Sequence, residues 1–168
     1  MQIALKTPLS EILRNGQSCD QCGHCCSHGS GFLVEDDIKH ISSFLRISEQ
    51  ELKEKFLEEK ELFNTKRLRP KLDSKKPYGP CIFLKDNRCS IHEVKPLQCR
   101  IGTCKGSGEE QGIWFSLNYL VNKDDPESVR QYSLYLKSGG KTIPGGRLEE
   151  LVPDKEKLDK MLNFQMLR

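Results

Sequence analysis

At 168 residues, with 36% hydrophobic and 30% charged residues, the chain reads as one soluble domain large enough for its own core. A net charge of +3 neither demands nor excludes nucleic acid, and no apolar stretch approaches the ~20 residues of a membrane helix. The first ten residues hold one lysine and no long apolar run, so they do not read as a secretory signal. The expectation is a cytoplasmic protein whose thiols stay reduced.

In chain order, residues 8–14 predict a short helix, with Pro8 early and Asn15-Gly16 as its stop. The first cysteine segment, Ser18 to Gly31, is rich in glycine, as sharp turns require. Ile38, Ile41 and Leu45 recur at helical spacing and predict a helix over 35–46. Ser48 and Glu51 fit a capping box for a second helix, with Leu52, Phe56 and Leu57 as its buried stripe and Glu58, Glu59 and Lys60 on its solvated face. Residues 66–80 read as a basic loop: Lys66, Arg67, Arg69, Lys71, Lys75 and Lys76 oppose only Asp73. Two short apolar runs, Cys81–Leu84 and Cys89–Ile91, flank the polar stretch 85–88 and predict a β-hairpin.

Residues 99–104 read as a loop or irregular turn. The apolar run 112–121 fits a strand or a helix equally well. Asp125-Pro126 reads as a helix start, with the helix running to Lys137 and stopping at Gly139-Gly140. A loop over 142–147 precedes a last helix from about Asp154, burying Leu158, Met161, Leu162 and the apolar stem of Gln165.

Eight cysteines fall into two groups, Cys19, Cys22, Cys25 and Cys26, then Cys81, Cys89, Cys99 and Cys104. A C-x2-C unit puts two sulfurs on one side of a tight turn, at the separation a tetrahedral metal needs. Soft thiolates select zinc, copper(I) or iron–sulfur clusters over hard cations. The bland readings, small buried hydrophobes or a disulfide scaffold, suit isolated or exported cysteines better than two tight groups in a cytoplasmic chain. Side chains of adjacent residues tend to diverge, so Cys25-Cys26 points to a polynuclear site, to two sites, or to a redox-active or structural member of the pair. Eight thiols match two four-ligand sites, or one 4Fe–4S cluster plus four other cysteines.

Lys85, Arg88, Lys95, Arg100 and Lys105 lie near the second group and would favour thiolates. Arg100, next to Cys99, is the one expected to donate to a sulfur. His24, His28 and His92 are possible replacement ligands, while His40 reads as an ordinary helix residue.

The string Cys19-Asp20-Gln21-Cys22-Gly23-His24-Cys25-Cys26, then Gly79-Pro80-Cys81-Ile82-Phe83-Leu84, then Cys89-Ser90-Ile91-His92-Glu93-Val94-Lys95-Pro96-Leu97-Gln98-Cys99-Arg100, resembles the CxxCxxCC cysteine-cluster family, the YkgJ-type domains associated with zinc or iron chelation. The resemblance spans roughly residues 18–105. His92 stands where the family often has tyrosine, and Lys95 where it often has arginine, which loses a bidentate fork. The resemblance implies a metal rather than a reaction. Some relatives are flagellin lysine methylases, in which a similar cluster accompanies methyl transfer from S-adenosylmethionine. Gly106-Ser107-Gly108 follows no clear strand and lacks the dinucleotide-binding context, so it reads as a flexible loop.

The expected fold is α+β and mostly helical: a small irregular domain, 1–168, with a short β-hairpin organised around a cysteine-ligated metal centre. Residues 18–105 would form the metal-binding core and 106–168 a helical extension. The leading functional expectation is an iron–sulfur cluster, of the 4Fe–4S type, used in redox or in assisting a partner enzyme. The alternatives are a structural zinc adaptor and a methyltransferase-like enzyme, although no nucleophile–base or carboxylate pair is legible. The expected partner is another protein. Nucleic acid has no aromatic stacking platform to support it, and no membrane is expected.

Overall fold

Helix starts follow their caps. Ser48 accepts the Glu51 amide at 3.0 Å, Asp125 the Glu127 amide at 3.1 Å and Asp154 the Lys157 amide at 3.0 Å. The computed structural model describes residues 2–16, 19–104 and 106–166, so Ser18 and Lys105 lie outside the described residues. Its architecture is α+β and mostly helical, with two two-stranded hairpins. Among the described residues no helix is long and apolar enough to cross a membrane.

The chain divides into two units. The first comprises Asn15–Lys60 and Arg67–Cys104, and contains every cysteine. Here α2 (Glu35–Leu45) and α3 (Glu49–Phe56) lie where the periodicity put them. The α3 helix stops four residues early, however, at Phe56 rather than Lys60. Leu57 begins strand β1 (Leu57–Leu62), which pairs with β2 (Thr65–Pro70). Glu58, Glu59 and Lys60 are therefore strand residues, and the first half of the expected basic loop is a strand.

The turn between β1 and β2 explains both corrections. Phe63 and Asn64 have φ of 51° and 57°, the two positive values of a type I′ hairpin turn. Asparagine tolerates that conformation, but phenylalanine does not announce it.

The predicted cysteine hairpin is present as β3 (Leu84–Lys85) and β4 (Arg88–Cys89), antiparallel with Leu84 opposite Cys89. Asp86 and Asn87, at φ 49° and 60°, make a second turn of the same kind. Cys99 lies in helix α4 (Leu97–Ile101), not in a loop, and Cys104 follows in a bend. Leu33, Ile41, Leu52, Leu57, Phe83 and Ile91 form the apolar cluster of this unit.

The second unit comprises Met1–Arg14, Glu61–Lys66 and Lys105–Arg168, so the boundary passes through α1 (Leu9–Gly16). The ambiguous apolar run is helix α5 (Gly108–Tyr119), which Gly108 opens. Its buried residues Gln111, Trp114, Phe115 and Leu117 spread over roughly 160° at 100° per residue, too broad for a clean stripe. Helix α6 (Pro126–Lys137) ends before Gly139, whose φ of 92° suits a glycine stop. A short helix α7 (Leu148–Leu151) precedes α8 (Lys155–Leu162), which buries Leu158 and Met161 and leaves Gln165 exposed.

Aromatic packing and buried hydrogen bonds hold this second unit. Phe63 meets Tyr132 and Tyr135 edge-on, and Phe115 stacks on Tyr119 at 4.9 Å. Trp114 Nε1 donates to the Thr7 carbonyl, and Gln111 Nε2 to that of Ile12.

Candidate metal centre

Four chain segments carry the eight thiols. The first is the loop 19–28, bent at Gly23 with φ 75° and ending in a 3-10 turn, Cys25–Ser27. A methyl at Gly23 would collide with Asn87, whose side-chain amide donates to the Cys22 carbonyl at 3.1 Å. The loop therefore sits on the β3–β4 turn. The Cys81 amide donates to the Cys26 carbonyl at 2.8 Å and the Gly79 amide to that of His28 at 3.3 Å. These bonds bring the second segment, around Cys81, against the first. The third segment is the hairpin carrying Cys89, and the fourth is α4 with the bend after it.

A network centred on Asp37 positions α4. Asp37 is 1% exposed. Its Oδ2 accepts the Val34 and Leu97 amides, each at 2.8 Å, and its Oδ1 accepts Arg100 Nη2 at 2.7 Å. One carboxylate thus ties the start of α2 to the start of α4 and satisfies the Arg100 guanidinium. Arg100, expected to reach a sulfur, acts one step back by fixing the helix that bears Cys99. Gln98 Oε1 accepts the Phe32 amide at 2.7 Å, and a methyl at Gly31 would lie 2.5 Å from Cys99 Sγ. Only glycine lets that sulfur pack against the backbone there.

The adjacent cysteines do not diverge. The 3-10 turn brings Cys25 Sγ and Cys26 Sγ to 4.0 Å. A tetrathiolate site with metal–sulfur bonds of ~2.3 Å has edges of roughly 3.8 Å, so this spacing is compatible both with two ligands of one ion and with one ligand from each of two adjoining sites.

All eight cysteines are free thiols, and they feel one another's charge. Hydrogen bonding with Cys26 is the main influence on Cys25. The amides of Cys26 and Cys25 and the charge of Lys95 reinforce it, burial opposes it, and the thiol falls to about 6. The same hydrogen bond, then burial and the charges of Cys25, Cys89 and Cys99, push Cys26 up.

Burial raises Cys81, Cys89 and Cys99, with further increments from neighbouring thiolates. The amides of Phe83 and Leu84, of Ile91 and of Gly31 respectively pull them back. Cys104 is raised by desolvation, by Cys25, Cys22 and Cys19, and by its hydrogen bond with Cys22.

Among the described residues no three cysteine, histidine or carboxylate side chains stand grouped so that they could hold a metal ion. The donor chemistry nonetheless fits a soft metal. The sulfurs lie in one unit and several meet backbone N–H groups, and their mutual repulsion is what a bound cation would relieve.

The flanking cations divide. Lys95 is buried and acts on both Cys25 and Cys89, while Lys85 and Arg88 are exposed in the hairpin. His92 Nε2 lies 3.3 Å from Lys95 Nζ, and burial followed by Lys95 lowers its pKa. His24 and His28 are exposed, with ring centroids 5.1 Å apart, and His28 Nδ1 meets the His24 carbonyl at 2.9 Å. The basic stretch is largely engaged within the fold: Arg67 pairs with Glu35, Arg69 with Glu58, and Lys71 donates to the Glu54 carbonyl.

Asp37, Gln98 and Asn87 were not singled out from sequence, and Gly31 was read only as one of several turn glycines. Asp37 reads there as one more acid in the first turn of a helix, and nothing local marks it as buried.

The model of the CxxCxxCC family, described as a proposed zinc- or iron-chelating domain, matches residues 18–118. That is more than half of the chain, and the protein belongs to this family. No curated protein and no solved structure matches it significantly.

Proposed function

We propose that the protein holds a thiolate-ligated metal centre, with Cys19, Cys22, Cys25, Cys26, Cys81, Cys89, Cys99 and Cys104 as the ligand set and an iron–sulfur cluster as its first occupant. The observation that carries this is the gathering of all eight cysteines into one unit as free thiols within electrostatic reach of one another. The backbone amides at Cys81, Cys89 and Cys99 favour the iron–sulfur reading, because N–H groups aimed at sulfur tune cluster potential. A bound cluster would supply one-electron chemistry. The chain's own part is to present the thiolates, shield one side of them and place the Lys95 charge beside Cys25 and Cys89. A protein partner accepting or donating electrons is the role this arrangement fits.

Structural zinc is the second reading, supported by Cys81 and Cys89 packing on the apolar cluster of their unit. A tetrathiolate zinc there would pin the loop 19–28 to the hairpin.

The test is a visible absorption spectrum of protein purified without oxygen, with metal and sulfide analysis of the same sample. Brown protein with matched iron and sulfide supports the cluster. Colourless protein carrying zinc supports the staple. Protein that takes up neither metal under reducing conditions would sink both.

A further inference from the structure

The eight thiols differ in setting. Cys81 and Cys89 pack against the apolar cluster of their unit. Cys99 lies behind Gly31, at a position where even one added methyl would strike its sulfur. Cys26 is half-buried, and its carbonyl is tied to the Cys81 amide. Cys22, Cys25 and Cys104, by contrast, are exposed, while Cys19, half-buried, lies in the same loop as Cys22 and Cys25. Between the two settings stands the adjacent pair, with sulfurs 4.0 Å apart, Cys25 exposed and Cys26 half-buried.

We infer that the centre consists of two four-thiol sites, an inner one of Cys26, Cys81, Cys89 and Cys99 and an outer, solvent-facing one of Cys19, Cys22, Cys25 and Cys104. This rests on the thiolate metal centre proposed above and deepens it. Each site takes a soft, thiophilic metal. The adjacent cysteines then have a geometric purpose: a C-C step gives one sulfur to each site from a single turn.

The two sites should differ in lability. The inner one is held by the hairpin, by α4 and by apolar packing, so it binds first and releases slowly. Water and chelators reach the outer one, which exchanges quickly.

The experiment loads the reduced 168-residue chain with zinc alone, counts bound ions by native mass spectrometry and maps free thiols by alkylation at each loading. At one zinc per chain, Cys26, Cys81, Cys89 and Cys99 should be protected while Cys19, Cys22 and Cys104 are alkylated. At saturation two ions should be bound, one leaving to a chelator at least tenfold faster than the other. The double variant Cys22→Ser/Cys104→Ser changes only exposed positions, and it should keep one ion with the slow release rate.

Parallel protection of all eight thiols, or loss of both ions in the double variant, would overturn the division in favour of one pooled cluster. Retention of both ions by that variant would overturn the outer site. Wild-type protein that binds no zinc would remove the underlying reading of a thiolate centre as well.

Discussion

The two units reach order by different means. The unit of Met1–Arg14, Glu61–Lys66 and Lys105–Arg168 buries large aromatic residues, Trp114, Phe115 and Tyr132 among them, and satisfies the Tyr132 hydroxyl with Thr142 and the Gly146 carbonyl. It is an ordinary packed helical core. The unit of Asn15–Lys60 and Arg67–Cys104 has an apolar cluster, Phe83 its one buried aromatic, beside eight thiols and a buried carboxylate. Its first sulfur-bearing loop is tied to the other segments by a few hydrogen bonds, from the Cys81 and Gly79 amides and the Asn87 side chain. The contrast shows where the proposed metal would matter. An apolar core is complete without a ligand, whereas neighbouring thiols repel once ionised, and a cation bound as proposed above would relieve that repulsion.

The largest test of this contrast is metal removal. Stripping the protein with a chelator under reducing conditions should abolish hydrogen-exchange protection across residues 19–28 and 81–104 and leave α6 and α8 protected. Tetrathiolate zinc sites contribute on the order of 10–16 kcal/mol of apparent folding free energy. Equal loss of protection in both units would break the comparison.

A matched pair of core substitutions sharpens it. Asp37→Ala leaves the Arg100 guanidinium and the Leu97 amide without their partner and should cost about 3–5 kcal/mol in urea unfolding. Phe115→Ala empties a fully buried aromatic site and should cost about 3–5 kcal/mol as well. Their metal content should diverge: the first loses metal because α4 no longer holds Cys99, and the second retains it. Full metal retention in Asp37→Ala would show that the carboxylate does not position the site.

The smallest effect is expected from Asp125→Ala, which removes the cap of α6 at a cost of about 1 kcal/mol. Thermal unfolding should register that loss with bound metal unchanged. A drop in metal would mean that the stability of the aromatic unit governs the cysteine site.

Local chemistry determined much of this protein. The eight cysteines and their spacing marked the family and the candidate site. Ser48, Asp125 and Asp154 placed helix starts, because a side-chain oxygen that caps an amide acts within three residues. The β3–β4 hairpin was legible because two short apolar runs flank a polar stretch, within which Asp86 and Asn87 adopt the positive φ of its turn.

Tertiary structure decided what depends on distant partners. Phe63 takes an unfavourable turn conformation where Tyr132 and Tyr135 receive its ring, so β1 and β2 were invisible in local propensity. The α5 helix was ambiguous because it is buried over a broad face rather than a stripe. Asp37 and Arg100 are 63 residues apart, and no pattern along the chain announces that the carboxylate is buried or that it holds the helix of Cys99. The division of the thiols into sheltered and exposed sets has the same origin: burial depends on the whole fold, and spacing along the chain does not report it.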